Sequence, residues 1–451
     1  MNLWTSKEIA YATSGQATSD FAVDGLSIDT RTLKKGDLFV ALKSERDGHD
    51  YISRAMEAGA SGVLAEKQVG EAASVIVPDT QKALEALGAA GRDRSQALRI
   101  AVTGSVGKTS LKEALATIFS EFGETHKSQK SFNNHLGAPI TLATLPEAAK
   151  FGIFELGMNH AGEISALSTQ VKPEIALISN VVSVHLAHFE SETDIARAKA
   201  EIIDGLSPEG TLILNSDNPH TPLIKSLADK RTVLTFGEAS GSDVQIIKTD
   251  SHAAGGSVSL RVAGKEIEVV LSVPGPHWFS NAAACLAVAK AAGLDLTEAA
   301  KAMSNIRPAQ GRGDSHALTL NGKSFTLIDE SYNANPTSMR AAFAAASLRQ
   351  GRKIAILGDM GELGPDELKF HAELAEPLEK AGFERVIVKG ECMRVLRGAM
   401  PRAMRAAWTE SLEDVILALR KEIMDGDVVL IKGSNATGLG ALVKKLKEGA
   451  Q

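Results

Sequence analysis

Ala101-Val102-Thr103-Gly104-Ser105-Val106-Gly107-Lys108-Thr109-Ser110 joins two segments of different period. Leu98 to Val102 is apolar and β-prone, whereas Leu111, Leu115, Ile118, Phe119 and Phe122 recur at helical spacing before Gly123. A glycine-rich turn between a strand and a helix is the context that a phosphate-binding loop requires. Free amides at the helix start point at anionic oxygens, Gly104 and Gly107 permit close backbone approach, and Lys108 adds a positive charge. Thr109 offers a hydroxyl to a phosphate-bound magnesium ion. The common G-x-x-x-x-G-K-[ST] pattern places its first glycine where this chain has Val102, so the loop is a shortened variant.

Outward from this loop, strands and helices keep alternating. Strands are expected at Gly152 to Leu156, Glu174 to Ile178, Thr211 to Leu214 and Thr232 to Phe236, with helical stretches between them. That alternation predicts an α/β fold with a mostly parallel, helix-covered sheet. From Asp243 to Val273 the runs shorten and alternate around Gly255-Gly256 and Gly264, which predicts a small antiparallel addition.

The chain has 451 residues, 44% of them hydrophobic, enough for separate cores. Three domains are expected, at 1–98, 99–308 and 309–451. The first has short strands at Gly36 to Leu42 and Val75 to Val77 and a helix at Ile52 to Ala58. The third has strands at Phe325 to Ile328, Lys353 to Leu357, Arg385 to Val388 and Val428 to Ile431. Helices at Met339 to Leu348, Glu367 to Lys380 and Leu412 to Ile423 fit between them, predicting a Rossmann-like sheet.

A formal charge of −6, from 55 acidic and 49 basic residues mixed along the chain, argues against nucleic acid or a membrane surface as a partner. Met1 to Ala10 does not read as a secretory signal, and no run is long and apolar enough to span a bilayer. Cys285 and Cys392 stand far apart, without zinc-ligand spacing, and fit buried thiols of a cytoplasmic protein.

Glu155, at the end of an apolar run, falls at the C-terminal edge of a strand, where ligands of such sheets bind. A carboxylate there can hold magnesium beside the phosphate loop. His185 follows another strand and reads either as a hydrogen-bonded structural histidine or as a metal ligand. Ser191, with Asp194 three residues on, or Thr193 can start the next helix, whose apolar stripe is Ile195, Ala198, Ile202 and Leu206. Lys199 lies on that stripe. It either snorkels to water or, if buried, becomes a neutral amine able to act as a base or take up carbon dioxide.

Thr103 to Thr109, Asn133-Asn134-His-Leu-Gly137, Glu155-Leu-Gly-Met-Asn159-His-Ala-Gly-Glu163 and Ala198-Lys199-Ala-Glu201 together resemble the ATP-dependent Mur ligases of peptidoglycan synthesis. The resemblance continues through His277 to Asn281, Arg312, Ser331-Tyr-Asn-Ala-Asn-Pro336, Leu357 to Gly364 and Lys432-Gly-Ser434, and so covers essentially the whole chain. Asn333 and Asn335, within Ser331 to Pro336, fall in the motif of the branch that adds D-alanyl-D-alanine to UDP-N-acetylmuramoyl-tripeptide. Asp29-Thr30-Arg31, Lys35 to Ala41 and Asp47-Gly-His49 resemble that branch's uridine-nucleotide-binding domain.

The resemblance implies a cytoplasmic, monomeric amide ligase working through an acyl phosphate. It implies that Gly104, Ser105, Val106, Gly107, Lys108, Thr109 and Ser110 cradle ATP, with Asn281 at adenine, Asp329 at ribose and Arg312 at the γ-phosphate. Thr109 and Glu155 would hold one Mg2+ ion and His185 and Lys199 a second, Lys199 as N6-carboxylysine. Thr30, Arg31, Asn134, Asn333 and Asn335 would face the substrates. The family often reads His-Leu-Glu-Gly-Phe-Gly-Ser where this chain has His185 to Ser191, Asp-Asp at Asp329-Glu330, and arginine or histidine at Asn435. Alternatives are the third-residue-adding Mur enzyme, folylpolyglutamate synthetase, and a phosphate-loop kinase or switch.

Overall fold

In the computed structural model, which describes residues 2–129, 132–183 and 188–449, strand Leu98–Thr103 runs through the middle of a sheet. Phase and register are parallel to Phe151–Glu155 on one side and Ile175–Ile178 on the other. Both neighbours are buried along their whole length, which explains why they read as continuous apolar runs rather than alternating ones. Thr125–Lys127 closes one edge, while Thr211–Asn215 and Thr232–Gly237 extend the other, all in parallel. Val244–His252 joins in parallel, and Gly255–Val262 and Lys265–Leu271 then fold back antiparallel, so the glycine-punctuated addition continues this same sheet.

Helices Lys108–Ser120 and His277–Ala291 cover one face of the sheet. Leu111, Leu115, Ile118 and Phe119 are fully buried there, each contributing about 1.5–3 kcal/mol of hydrophobic stabilisation. Helices Gly137–Ala143, Glu163–Val171 and Glu192–Ala200 cover the other face.

The N-terminal sheet orders its strands Gln16–Ala17, Ser74–Ile76, Gly62–Ala65, Asp37–Val40 and Gly25–Ser27. It is docked on the central sheet through helix Thr80–Arg94, which lies against Gly137–Ala143. Gly88 and Gly91 make this approach possible, since a Cβ at Gly91 would stand 2.3 Å from the Leu142 carbonyl oxygen. Trp4 Nε1 donates to Ala143 O at 2.7 Å, and the Arg94 guanidinium sits 3.5 Å above the Trp4 ring.

The C-terminal sheet runs Asp314–Leu320, Lys323–Glu330, Asp427–Lys432, Lys353–Gly358, Phe383–Lys389 and Arg405–Thr409, and only the first pair is antiparallel. Its two edge strands were not among those expected from sequence. Asp314–Leu320 alternates in burial and Arg405–Thr409 is mostly half-buried, so neither carries the apolar run of a central strand. The single helix expected over Glu367 to Lys380 is two, Glu367–Ala372 and Ala375–Lys380. Pro377 has no amide to donate to the Glu373 carbonyl, and its ring crowds that carbonyl. Among the described residues no helix is long and apolar enough to cross a membrane.

Candidate functional site

The phosphate loop is held from behind by the loop after Ile175–Ile178. Ser105 N donates to Asn180 O at 3.0 Å, Val106 N to Asn180 Oδ1 at 3.1 Å, and Ser105 Oγ to Val182 O at 2.9 Å. Ser179 Oγ closes the clamp on Val106 O at 2.8 Å. The contact is so close that a Cβ at Gly104, whose φ is 150°, would lie 1.9 Å from Ser179 Oγ. The amides of Ser105 and Val106 are therefore committed to the scaffold. Those that can face an anion begin at Gly107, which caps helix Lys108–Ser120 at φ 85° and opens its first turn toward the cleft.

Lys108 Nζ donates to Gly104 O at 2.7 Å. Burial lowers its ammonium pKa, Glu155 opposes that shift and Arg312 adds to it. Glu155, at the end of its strand, is 1% exposed, and its Oε1 accepts from Asn133 Nδ2 at 2.9 Å. Among the described residues its Oε2 has no hydrogen-bond partner, and the buried Lys112 ammonium pairs with it at the longer distance of 3.8 Å. Thr109 Oγ1 is likewise buried with no hydrogen-bond partner among the described residues. Two orphaned oxygen donors beside a phosphate loop fit a hard cation such as Mg2+, which uses one or two protein oxygens and completes its shell with phosphate and water. Among the described residues no group of three or more His, Cys, Asp or Glu is arranged to hold a metal.

Lys199 does not snorkel. It is 1% exposed on helix Glu192–Ala200, started by Ser191, whose Oγ accepts from Asp194 N at 3.2 Å. Burial, reinforced by the Lys108 charge, holds its pKa well below the ordinary lysine value. His185 lies outside the described residues.

Ser105 to Ser110, Glu155 and Asn281 line one wall of a cleft of about 690 Å³, and Arg312, Asn333 and Asn335 line the wall opposite. The remaining expected residues lie elsewhere. Gly104 sits behind the loop. Asp329 is 2% exposed, its Oδ1 taken by Ser331 N at 3.1 Å and Ser331 Oγ at 2.6 Å. Asn134 Oδ1 accepts from the Leu136 and Gly137 amides at the start of Gly137–Ala143. Thr30 and Arg31 belong to the N-terminal unit, where Arg31 pairs with Asp29 at 2.7 Å.

Three contributors to the cleft were not assigned roles from sequence. Asn133 grips Glu155, Tyr332 lies under Arg312, and Lys432 joins Glu330 Oε2 at 3.0 Å and Asn333 O at 2.9 Å. The available signal was their presence inside the quoted motifs. Asn335 also caps helix Pro336–Ser347, its Oδ1 accepting from Ser338 N at 2.8 Å.

Comparison with known proteins matches three family models in chain order. They are the Mur ligase family catalytic domain at 22–104, the Mur ligase middle domain at 102–289 and the Mur ligase glutamate ligase domain at 318–435. The UDP-N-acetylmuramoyl-tripeptide–D-alanyl-D-alanine ligase of Rickettsia prowazekii is 32% identical over 98% of this chain and 99% of its own. The Escherichia coli ligase of the same name is 34% identical over 95% of each chain. Among solved structures, MurF from Acinetobacter baumannii superposes with a TM-score of 0.85 at 30% identity, covering 99% of both chains. The fold also matches MurF ligase from Thermotoga maritima in complex with ADP, with a TM-score of 0.77 at 24% identity over 94% of this chain and 97% of that one. With its phosphate loop, its cleft and this likeness along nearly its full length, the chain belongs to the Mur ligase family.

Proposed function

We propose that this chain joins D-alanyl-D-alanine to UDP-N-acetylmuramoyl-tripeptide with cleavage of ATP to ADP and phosphate. The observation that carries the reading is the cleft itself, where Lys108 and the first-turn amides face Arg312 and the Asn333 to Asn335 segment of a different sheet. Relatives carrying that activity in their names match over nearly the whole chain, which favours it over the third-residue-adding and folate ligases. A kinase or switch would leave the Arg312 wall without a task.

In the proposed reaction, a terminal carboxylate oxygen of the tripeptide attacks the γ-phosphorus while the bond to the departing ADP oxygen breaks. The dipeptide amine nitrogen then bonds to the acyl carbon, phosphate leaves with its oxygen, and the nitrogen gives up a proton. Each step gathers negative charge on oxygens, which fixed cations stabilise without reorganising. Lys108 and the amides from Gly107 to Ser110 hold the β- and γ-phosphates, and Arg312 meets the γ-phosphate from the other wall. Asn281 takes the adenine side. Thr30, Arg31 and Asn134 serve the uridine-nucleotide end.

Thr109 and Glu155 would hold one magnesium ion, and His185 and Lys199 a second. Bound there, the metal supplies Lewis-acid neutralisation of the phosphate oxygens. The depressed pKa of Lys199 supports its modification: a neutral Nζ bonds to the carbon of carbon dioxide, loses a proton and becomes an anionic carbamate. Asp329 would serve the ribose, with Ser331 already holding its Oδ1.

Phosphate release from ATP is measured with the tripeptide nucleotide and the dipeptide, together and singly. Turnover is expected only with both. Turnover independent of the dipeptide would sink the assignment.

A further inference from the structure

Arg312 stands on a turn that glycines make possible. Gly311 and Gly313 flank it at φ 73° and 100°, in the left-handed region where a side chain is strained. The turn closes on itself with Arg312 N to Ala309 O at 3.0 Å, and two backbone bonds tie it to the end of strand Lys323–Glu330 and the residues just after it: Gly313 N to Asp329 O at 2.8 Å and Tyr332 N to Gly311 O at 3.2 Å. Those bonds place Arg312 and Tyr332 against each other. The guanidinium carbon lies 4.3 Å from the Tyr332 ring centroid. A Cβ at Gly311 would come within 3.1 Å of Tyr332 Cβ, on a backbone at φ 73°, so a side chain there would push the two segments slightly apart as well as strain the turn.

Among the described residues no carboxylate pairs with Arg312, and its side chain makes no hydrogen bond. This matters for what the arginine can do next. A carboxylate would hold the guanidinium by occupying its N–H groups and would then compete with a phosphate for them. An aromatic face attracts the same cation through the ring quadrupole and leaves all five N–H donors unspent.

We propose that Tyr332 is a positioning residue that aims Arg312 into the cleft through its ring face while keeping the guanidinium donors free for the γ-phosphate. The inference rests on the reading of Arg312 as a γ-phosphate contact. Tyr332 itself touches no reacting atom in this scheme. Its effect therefore depends on the third phosphate and on the ring, not on the phenol hydroxyl.

The test uses the full-length enzyme with both substrates and compares Y332L, Y332F, R312A and the double variant R312A/Y332L. Y332L is expected to lower kcat/KM for ATP about 3- to 30-fold, the range of one cation–π contact. Its KM for the dipeptide and its calorimetric affinity for ADP, which lacks the γ-phosphate, should stay as in the unmodified enzyme. Y332F should restore most of the loss, and Y332L should add little in the R312A background. If R312A leaves ATP use intact, the Arg312 reading itself is wrong. If R312A is impaired but Y332L is not, or if Y332F is as impaired as Y332L, the ring is not the aiming element. An equal loss of ADP affinity in Y332L would show a general collapse of the cleft and overturn the proposal.

Discussion

Asn133 Nδ2 donates to Glu155 Oε1 at 2.9 Å, while the Gly157 amide returns to the Asn133 carbonyl at 2.7 Å. The two segments lock each other, because a Cβ at Gly157 would stand 2.8 Å from Asn133 Cγ. One carboxylate oxygen is thereby fixed by a neutral donor and the other is left for a cation. Replacing Asn133 with Leu should raise the Mg2+ concentration for half-maximal activity by about 10- to 100-fold, the usual effect of losing a partner that orients a metal ligand. Magnesium titrations of phosphate release, paired with Mn2+ binding followed by electron paramagnetic resonance, measure this. Unchanged values in both would mean that Asn133 does not orient Glu155.

Gly104→Ala attacks the loop from its buried side. The added methyl would meet Ser179 Oγ at 1.9 Å on a backbone at φ 150°. The loop must shift, at a cost of about 1–3 kcal/mol, and the shift moves Lys108 with it. Turnover should fall at least about 100-fold, on the order of losing one preorganised oxyanion donor. The double variant G104A/S179A relieves the clash but not the dihedral, so denaturant midpoints should recover only in part.

Lys199→Ala removes both the amine and any carbamate. Activity should be lost, and small carboxylates such as acetate should restore a fraction by placing an anion where the carbamate would stand. Mass spectrometry under non-acidic conditions reports the added carbon dioxide directly. Turnover like that of the unmodified enzyme in Lys199→Ala would remove the carbamate from the mechanism.

The phosphate-loop strand and helix were legible because their periods differ on either side of two glycines, and both are buried as their patterns require. Glu155 was placed correctly for the same reason, at the end of an unbroken apolar run. Lys199 was ambiguous because a lysine on an apolar stripe can snorkel, and only the packing of its helix decides otherwise. Motif membership did not reveal side-chain direction. Asp329 and Asn134 turn back to Ser331 and to a helix start, whereas Asn133, one residue earlier, reaches Glu155 across 22 positions of sequence. Tyr332 as a partner of Arg312 depends on two loops meeting, which no local pattern encodes.

Domain movement follows from the division of the cleft between two sheets. Lys108 and Arg312 lie on opposite walls, yet both must contact one γ-phosphate in the proposed reaction. Binding of a non-hydrolysable ATP analogue and both substrates should draw the C-terminal sheet toward the central one. Small-angle scattering should then show a smaller radius of gyration. Profiles that coincide with and without ligands would count against closure.

His126 supplies a pH dependence of stability separate from catalysis. Its Nε2 lies 2.9 Å from the Thr141 carbonyl, which can only accept, so Nε2 carries the proton of a neutral ring. Burial brings its pKa down from 6.5 to about 4, against the smaller opposing effect of that hydrogen bond. The unfolded chain therefore takes up a proton near pH 6.5 while the folded protein resists doing so until about pH 4. The contribution to stability is complete above pH 6.5, declines as pH falls through this window, and is gone below pH 4. Its size is about 2 kcal/mol, less than the full shift implies because the side chain keeps some contact with water. His126→Gln, whose amide nitrogen reaches the position of Nε2, keeps a donor for Thr141 but removes the titration. Urea unfolding at pH 7.5, 6 and 5 should show a shallower fall in stability for the variant than for the unmodified protein. Parallel falls would show that the imidazole is not held neutral by the fold.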